Sequence, residues 1–216
     1  MVPVLHGYWR SGTSYRTRIA LELKGLAYDY RAVDLRAGDH KQAAYRSLDP
    51  QGLVPTLEID GHALIQSPAI LEWLEERYPE PPLLPHDPFE RAAVRAMAAI
   101  VACDIHPLNN LRVLKSIRHD LGADDAQQAA WTARWITAGF DALEALIARH
   151  GGHWSFGDHP SLADCCLVPQ IYSARRFDVD LAPFERIRAI EARAAEHPAF
   201  QAAHPDKQPD AEPTQT

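Results

Sequence analysis

A dense run of prolines divides the chain into two parts of different character. Five prolines lie within the ten residues from Pro79 to Pro88. Each proline fixes its own φ angle and removes a backbone hydrogen-bond donor, so neither a helix nor a central strand can run through this segment. We therefore interpret residues 81–87 as a linker between an N-terminal domain of residues 1–80 and a C-terminal domain of residues 88–203.

The part before the prolines alternates strand and helix patterns. Residues 4–8 form a short apolar run typical of a buried strand, a helical pattern ends at Gly25, and residues 28–33 alternate as a second strand. Asp60 and Gly61 then join two further apolar runs, which predicts a β-hairpin. This order predicts an α/β domain built from a βαβ unit and a hairpin.

The part after the prolines has a helical pattern throughout. Apolar residues recur at helical spacing in four segments, at residues 90–115, 127–148, 162–174 and 184–196. Ser161 and Asp164 form a capping box at the start of the third segment. We therefore predict an all-helical bundle, followed by a mobile, polar tail at residues 204–216.

Composition narrows the range of functions. With 216 residues, of which 46% are hydrophobic, the chain can bury a core, and a net charge of −7 argues against a nucleic-acid surface. No apolar run approaches the ~20 residues of a membrane span, and the N-terminus lacks a signal sequence, so we expect a cytoplasmic protein without membrane partners. The three cysteines are expected to be reduced. Cys103 and His106 have no matching second pair, so we predict no metal site.

A loop rich in hydroxyl groups lies between the first strand and the first helix. It contains Ser11, Thr13 and Ser14, and Arg10 precedes them. Free backbone N–H groups and the helix dipole favour an anion at such a helix start, and hydroxyl groups can donate hydrogen bonds to it. One hydroxyl could simply cap the helix, but three are more than one cap needs. The loop therefore predicts an anion-binding site.

The same loop carries a family resemblance. The segment from Arg10 to Leu21, Arg-Ser-Gly-Thr-Ser-Tyr-Arg-Thr-Arg-Ile-Ala-Leu, resembles the signature of zeta-class glutathione transferases. The segments Leu-Val-Pro-Thr-Leu at residues 53–57, Gln-Ser-Pro-Ala-Ile at 66–70 and Ile-His-Pro-Leu-Asn-Asn-Leu at 105–111 match the family too. The resemblance covers residues 4–200 and implies the glutathione transferase fold, a thioredoxin-like domain followed by a helical bundle domain.

The resemblance also implies glutathione as the cofactor and a set of residues that bind it. These residues are Ser11, Thr13, Gln51, Val54, Gln66, Ser67, His106 and Asn110. Val54 would pair its backbone with glutathione ahead of a cis proline, although Pro55 could equally be an edge-strand proline. Ser67 also suits a helix N-cap, with Pro68 as the first helical residue. His106 and Asn110 are four residues apart, which predicts that they share a helix face.

Four residues are candidates for catalysis. Many family members have a cysteine at the position of Thr13, so the reactive thiol here would come from glutathione. Ser11 or Thr13 would stabilise its thiolate, with Ser11 as our first choice. Arg10 and Arg176 would hold an acidic substrate. Arg175 and Arg176 could also simply complement the dipole at a helix C-terminus.

The activity implied by the resemblance is cis–trans isomerisation of a maleyl β-dicarbonyl acid, maleylacetoacetate or maleylpyruvate, in aromatic catabolism. The thiolate would add to the cis double bond, and elimination after rotation would release the trans fumaryl product. The family resemblance alone implies a homodimer. Two alternatives remain open, namely a transferase acting on small α-halo acids and a non-catalytic interaction protein.

Overall fold

The computed structural model of the chain describes residues 2–212, which form two compact units. Unit 1 contains the residues up to Pro82 together with those from Ala195 onward, and unit 2 is Leu83–Ala194. The first boundary falls inside the predicted linker. The second boundary differs from the prediction, because it returns the C-terminal end of the chain to the N-terminal unit.

Unit 1 is built on a four-stranded sheet with the order β2-β1-β3-β4. Its strands are β1 (Val4–Gly7), β2 (Asp29–Ala32), β3 (Thr56–Ile59) and β4 (His62–Ile65). Strand β1 is parallel to β2 and antiparallel to β3, and β3 is antiparallel to β4. The predicted βαβ unit and hairpin are both confirmed.

Three helices accompany this sheet in the first part of the chain. They are α1 (Gly12–Leu23), α2 (Ala43–Arg46) and α3 (Ser67–Arg77). Helices α1 and α3 pack against each other, and Leu5, Ile19 and Leu74 are completely buried in the core. The peptide bond between Val54 and Pro55 is cis, as the family resemblance predicts.

Unit 2 is helical, as its sequence pattern predicts. Its helices are α4 (Pro88–Ala99), α5 (Leu111–His119), α6 (Asp125–His150), α7 (Leu162–Arg176) and α8 (Glu185–Glu196), of which α8 ends just past the unit boundary. Helix α4 packs on α7, and Phe140 meets Phe184 edge to face at 5.5 Å between ring centroids. The predicted capping box at Ser161 is present, and the side chains of Ser155 and Ser161 donate to the completely buried Asp164 carboxylate.

The helix predicted over residues 90–115 is interrupted in the structure. Helix α4 ends at Ala99, a π-helical segment follows at Ile100–Ile105, and a 3₁₀ turn at His106–Asn109 precedes α5. Pro107 interrupts the helical pattern in the sequence, and the structure has a 3₁₀ turn there, but the α-helix already ends at Ala99, which the pattern does not predict. Proline cannot donate the hydrogen bond that would continue the helix.

The C-terminal end of the chain is folded onto unit 1. Helix α9 (Pro198–Ala203) contacts α1, and a 3₁₀ turn follows at Pro205–Lys207. The sequence predicts that the helical domain extends to residue 203 and that residues 204–216 form a mobile tail, but the structure places the described residues from Ala195 onward with the sheet. The physical reason is long-range: buried donors of the N-terminal domain find their acceptors here. Residues 213–216 lie outside the described residues.

Candidate active site

The hydroxyl-rich loop ends at a capped helix. Ser11 is the N-cap of α1, and its Oγ accepts a hydrogen bond from the Ser14 backbone N–H at 3.3 Å. The Tyr15 N–H is bonded to the Ser11 carbonyl oxygen at 2.9 Å. One of the three hydroxyl groups thus has the capping role considered from the sequence, which leaves the others to be explained.

A chain of hydroxyl groups links this loop to the cis-proline segment. The Thr13 hydroxyl donates to the Val54 carbonyl oxygen at 2.8 Å, and Ser11 Oγ lies 2.8 Å from Thr13 Oγ1. A hydroxyl group has one hydrogen, and Thr13 donates it to a carbonyl oxygen, which can only accept. The hydrogen between the two hydroxyls therefore belongs to Ser11.

Two of the predicted glutathione-binding residues, Gln66 and Ser67, lie at the start of α3. The N-cap residue is Gln66, with φ 66° and ψ 106°, and Ser67 is the first residue of the helix. Our assignment of Ser67 as the N-cap was therefore wrong by one residue. The Gln66 side-chain amide donates to the side-chain oxygen of Gln51, which fixes the two glutamines relative to each other. A positive φ is unusual for glutamine and is often found at functional sites.

Ser67 carries an unpaired hydroxyl group. Its side chain is 3% exposed, and its Oγ has no hydrogen-bond partner within residues 2–212. Buried polar atoms are nearly always hydrogen-bonded, so an isolated one calls for a partner from outside the chain. This hydroxyl, at the N-terminal end of α3, is available to an anionic group.

Sheet topology brings these two helix starts to the same end of unit 1. His6 near the end of β1 pairs with Thr56 at the start of β3, and Thr56 pairs with Ile65 at the end of β4. The loop after β1, the segment before β3 and the turn after β4 must therefore emerge together. Six of the predicted glutathione residues lie on these segments or are bonded to them, namely Ser11, Thr13, Gln51, Val54, Gln66 and Ser67.

The two predicted substrate arginines lie in different units. Arg10 follows Trp9 in unit 1, and its guanidinium lies 5.2 Å from the centre of the Trp9 ring. Arg176 is the last residue of α7 in unit 2, is exposed, and has its guanidinium 5.4 Å from the Phe177 ring centre. Arg175 instead binds the Glu191 carboxylate at 2.7 Å, which gives it a structural role.

His106 and Asn110 in unit 2 do not share a helix face. His106 begins the 3₁₀ turn, whereas Asn110 has an extended backbone and caps α5, with its Oδ1 accepting from the Arg112 N–H at 3.1 Å. The prediction failed because spacing by four residues aligns side chains only along a continuous helix.

The neighbouring Asn109 is a candidate that the sequence did not single out. It is 9% exposed, and neither its amide oxygen nor its amide nitrogen has a hydrogen-bond partner among the described residues. Two adjacent asparagines were a signal that a turn follows the proline, but the sequence alone does not reveal which of them is buried.

Comparison with known protein families gives a match in each half of the chain. A model of the N-terminal domain of glutathione S-transferases matches residues 10–77, and a model of their C-terminal domain matches residues 124–203. The chain belongs to the glutathione S-transferase family. The resemblance and the fold stated from the sequence are confirmed.

Similar glutathione transferases cover nearly the full chain. A maleylpyruvate isomerase from Ralstonia sp is 57% identical over 95% of this chain and 98% of its own, and a maleylacetoacetate isomerase from Pseudomonas aeruginosa is 53% identical over 95% and 97%. A solved structure described as holo maleyl pyruvate isomerase, a bacterial zeta-class glutathione S-transferase, has a TM-score of 0.94 and 56% identity, covering 97% of this chain and 100% of its own.

A second structural neighbour includes a ligand in its description. It is the maleylacetoacetate isomerase of Anaeromyxobacter dehalogenans 2CP-1 with bound GSH in the active site, at TM-score 0.89 and 48% identity, covering 98% of each chain.

The part of our chain that the structure describes has no helix long and apolar enough to cross a membrane. Within residues 2–212, no cluster of three or more His, Cys, Asp or Glu residues could hold a metal ion.

The cap at α5 gives a testable consequence for this glutathione transferase. Replacing Asn110 with Ala removes the acceptor for the Arg112 N–H and should lower the free energy of unfolding by about 1 kcal/mol. Asn110→Ser keeps a capping oxygen and should retain most of the free energy of unfolding that Asn110→Ala loses. Denaturant unfolding measures both values, and equal losses in the two variants would contradict the capping role.

Proposed function

We propose that the protein is a glutathione-dependent cis–trans isomerase that converts a maleyl β-dicarbonyl acid, maleylacetoacetate or maleylpyruvate, to its fumaryl isomer in aromatic catabolism. The observation that carries the proposal is the joint position of two hydroxyl-bearing helix starts at one end of the sheet. The names of the relatives that are 57% and 53% identical support the same reaction.

The residues of unit 1 fit glutathione. The buried, unpaired Ser67 hydroxyl and the N-terminal end of α3 suit its γ-glutamyl carboxylate, and Gln51 and Gln66 lie beside them. Val54 precedes the cis proline and offers its backbone to the cysteinyl part. We propose that His106 and Asn110 of unit 2 also contact the cofactor. Bound glutathione supplies the thiol that adds reversibly to the substrate double bond, so that the bond can rotate.

The hydroxyl chain supports different roles for Ser11 and Thr13. The Thr13 hydroxyl donates its hydrogen bond to the Val54 carbonyl oxygen, and this bond holds the cis-proline segment against the loop. Ser11 directs its hydrogen at another hydroxyl, a weaker acceptor than a thiolate, and can redirect it without breaking a bond to a carbonyl. Ser11 therefore stabilises the thiolate, with help from the dipole of α1.

Two arginines serve the acidic substrate in this proposal. Arg10 directly precedes the thiolate-stabilising Ser11, and Arg176 is exposed at the end of α7. A guanidinium can bind a carboxylate through two parallel hydrogen bonds, which orients it as well as holding it. The same groups would also stabilise negative charge on a substrate oxygen.

The direct test is an isomerase assay. Maleylpyruvate and maleylacetoacetate are each incubated with the purified protein, with and without glutathione, and the fumaryl product is measured. We expect turnover only with glutathione. Retention on immobilised glutathione without turnover of either acid would overturn the isomerase proposal, and failure to be retained would overturn glutathione binding itself.

Arg176→Ala should raise the KM for the maleyl acid while leaving glutathione affinity nearly unchanged. Because Arg176 is exposed, the loss should be smaller than the about 2–5 kcal/mol expected when one partner of a buried charge pair is removed. Arg175→Ala is the matched control. Arg175 already binds Glu191, so its replacement should not alter KM. An unchanged KM in Arg176→Ala would remove this residue from the substrate site.

Ser11→Ala should shift the thiolate titration of the glutathione complex to higher pH by more than Thr13→Ala does. A hydrogen bond to the thiolate lowers the thiol pKa, and each pKa unit corresponds to about 1.4 kcal/mol. Part of the depression should survive in both variants, because the dipole of α1 remains. Thiolate absorbance against pH measures the shift. A larger shift in Thr13→Ala would reverse the two roles.

We also propose a homodimer in the cytoplasm, on the basis of family membership. Within residues 2–212, no disulfide joins Cys103, Cys165 and Cys166, which is compatible with a reducing compartment. Light scattering at micromolar concentration tests the assembly, and the mass of a single chain would contradict it.

A further inference from the structure

The C-terminal segment of the chain is bonded to the loop that carries Arg10. Asp210 Oδ2 accepts a hydrogen bond from the Trp9 backbone N–H at 3.0 Å and another from the Tyr30 hydroxyl at 3.3 Å. The acceptor for Trp9 is thus 201 residues away in sequence. Both partners belong to unit 1.

The carbonyl group of Trp9 is also held by a long-range contact network. Its carbonyl oxygen accepts from Arg18 Nη2 at 2.9 Å, and Arg18 Nε donates to the Ala203 carbonyl oxygen at 2.8 Å. Arg18 is completely buried and Trp9 is only 7% exposed. The main chain just before Arg10 is therefore held on its N–H by Asp210 and on its carbonyl by Arg18.

Ser11 is anchored by bonds that do not involve the C-terminal segment. Its N–H donates to the Tyr8 carbonyl oxygen at 3.0 Å, its carbonyl accepts from the Tyr15 N–H at 2.9 Å, and its Oγ accepts from Ser14. Loss of the bond from Asp210 should therefore displace Arg10 more than Ser11.

Electrostatics agree that the C-terminal segment lies near Arg10. The pKa of the Glu212 carboxyl is held below its usual value, first by the hydrogen bond from Arg36, then by the positive charge of Arg36 and, to a lesser degree, by that of Arg10. The side chains of Arg36 and Glu212 form an exposed ion pair. The segment from Asp210 to Glu212 thus lies alongside the substrate-binding loop.

We propose that Asp210 is a positioning residue for the acidic substrate: it fixes the backbone of Trp9 and thereby orients the Arg10 guanidinium toward the substrate carboxylate. The inference rests on the role of Arg10 given under the proposed function. Asp210 itself does not contact substrate in this view. A purely structural Asp210, which only attaches the C-terminal segment, would affect stability without acting through Arg10.

A double-mutant cycle separates these two roles in the full-length enzyme. Asp210→Ala should raise the KM for the maleyl acid by about tenfold, because small displacements of a binding group are costly. Glutathione affinity should change by less than about twofold, since Ser11 keeps its own bonds. For the same reason, the pKa of bound glutathione should change by no more than about a few tenths of a unit. In an Arg10→Ala background, Asp210→Ala should add no further increase in KM.

Two conservative variants provide the controls. Asp210→Asn keeps an oxygen that can accept from the Trp9 N–H, so it should restore most of the affinity for the acid. Tyr30→Phe removes the other hydrogen bond to the same carboxylate and should leave KM unchanged. If Asp210→Ala does not fold, Asp210→Glu keeps the charge but moves the acceptor, and it should raise KM in the same way.

The outcomes distinguish this inference from the proposed function. An equal KM increase from Asp210→Ala in the wild-type and Arg10→Ala backgrounds would overturn the positioning role, as would an unchanged KM in folded Asp210→Ala. An unchanged KM in Arg10→Ala alone would remove Arg10 from the substrate site and overturn the inference with it. Isomerase turnover in that variant would leave the proposed reaction standing.

Discussion

The buried guanidinium of Arg18 is the interaction on which the arrangement of unit 1 depends. Burial lowers the pKa of this arginine from its usual value, and its fork donates to the carbonyl oxygens of Trp9 and Ala203. A buried charge is costly unless hydrogen bonds replace its water, so these two carbonyls must stay in place. The interaction joins α1, the loop before it and the C-terminal helix α9, whose residues are remote in sequence.

The antiparallel pairing of β1 with β3 has the next largest effect on the site. It reverses the direction of the chain, so that the loop leaving β1 meets the cis-proline segment that enters β3. Strand β4 runs antiparallel to β3 and delivers Gln66 and Ser67 to the same end. The order of the strands thus brings the loop before α1, the cis-proline segment and the start of α3 to one end of the sheet.

Features that depend on local chemistry could be predicted from the sequence. The helical pattern ending at Gly25, the hairpin at Asp60 and Gly61, and the capping box at Ser161 each require only neighbouring residues, and all three are observed. The helix start at Ser67 was misplaced by one residue because a glutamine with positive φ takes the cap position, and propensity does not predict this.

Features that depend on distant partners could not be predicted. The polar composition of residues 204–216 argued for mobility, yet Asp210 is held by Trp9 and Tyr30, which no local pattern links to it. Asn110 lost its predicted orientation because the helix before it unwinds into a π-helical segment and a 3₁₀ turn. The family resemblance identified Asn110 but not the contact that it makes with Arg112.

Thr13 departs from the family pattern, and this departure changes which hydrogen bond the side chain at position 13 can form. A thiol is a weak hydrogen-bond donor, so a cysteine here would bind the Val54 carbonyl oxygen poorly. The Thr13 hydroxyl forms that bond at 2.8 Å and ties the loop firmly to the cis-proline segment. Because the Thr13 hydrogen is engaged in this bond, it is not available to a second acceptor. A threonine at this position therefore holds the cis-proline segment against the loop by a bond that a thiol would form only weakly.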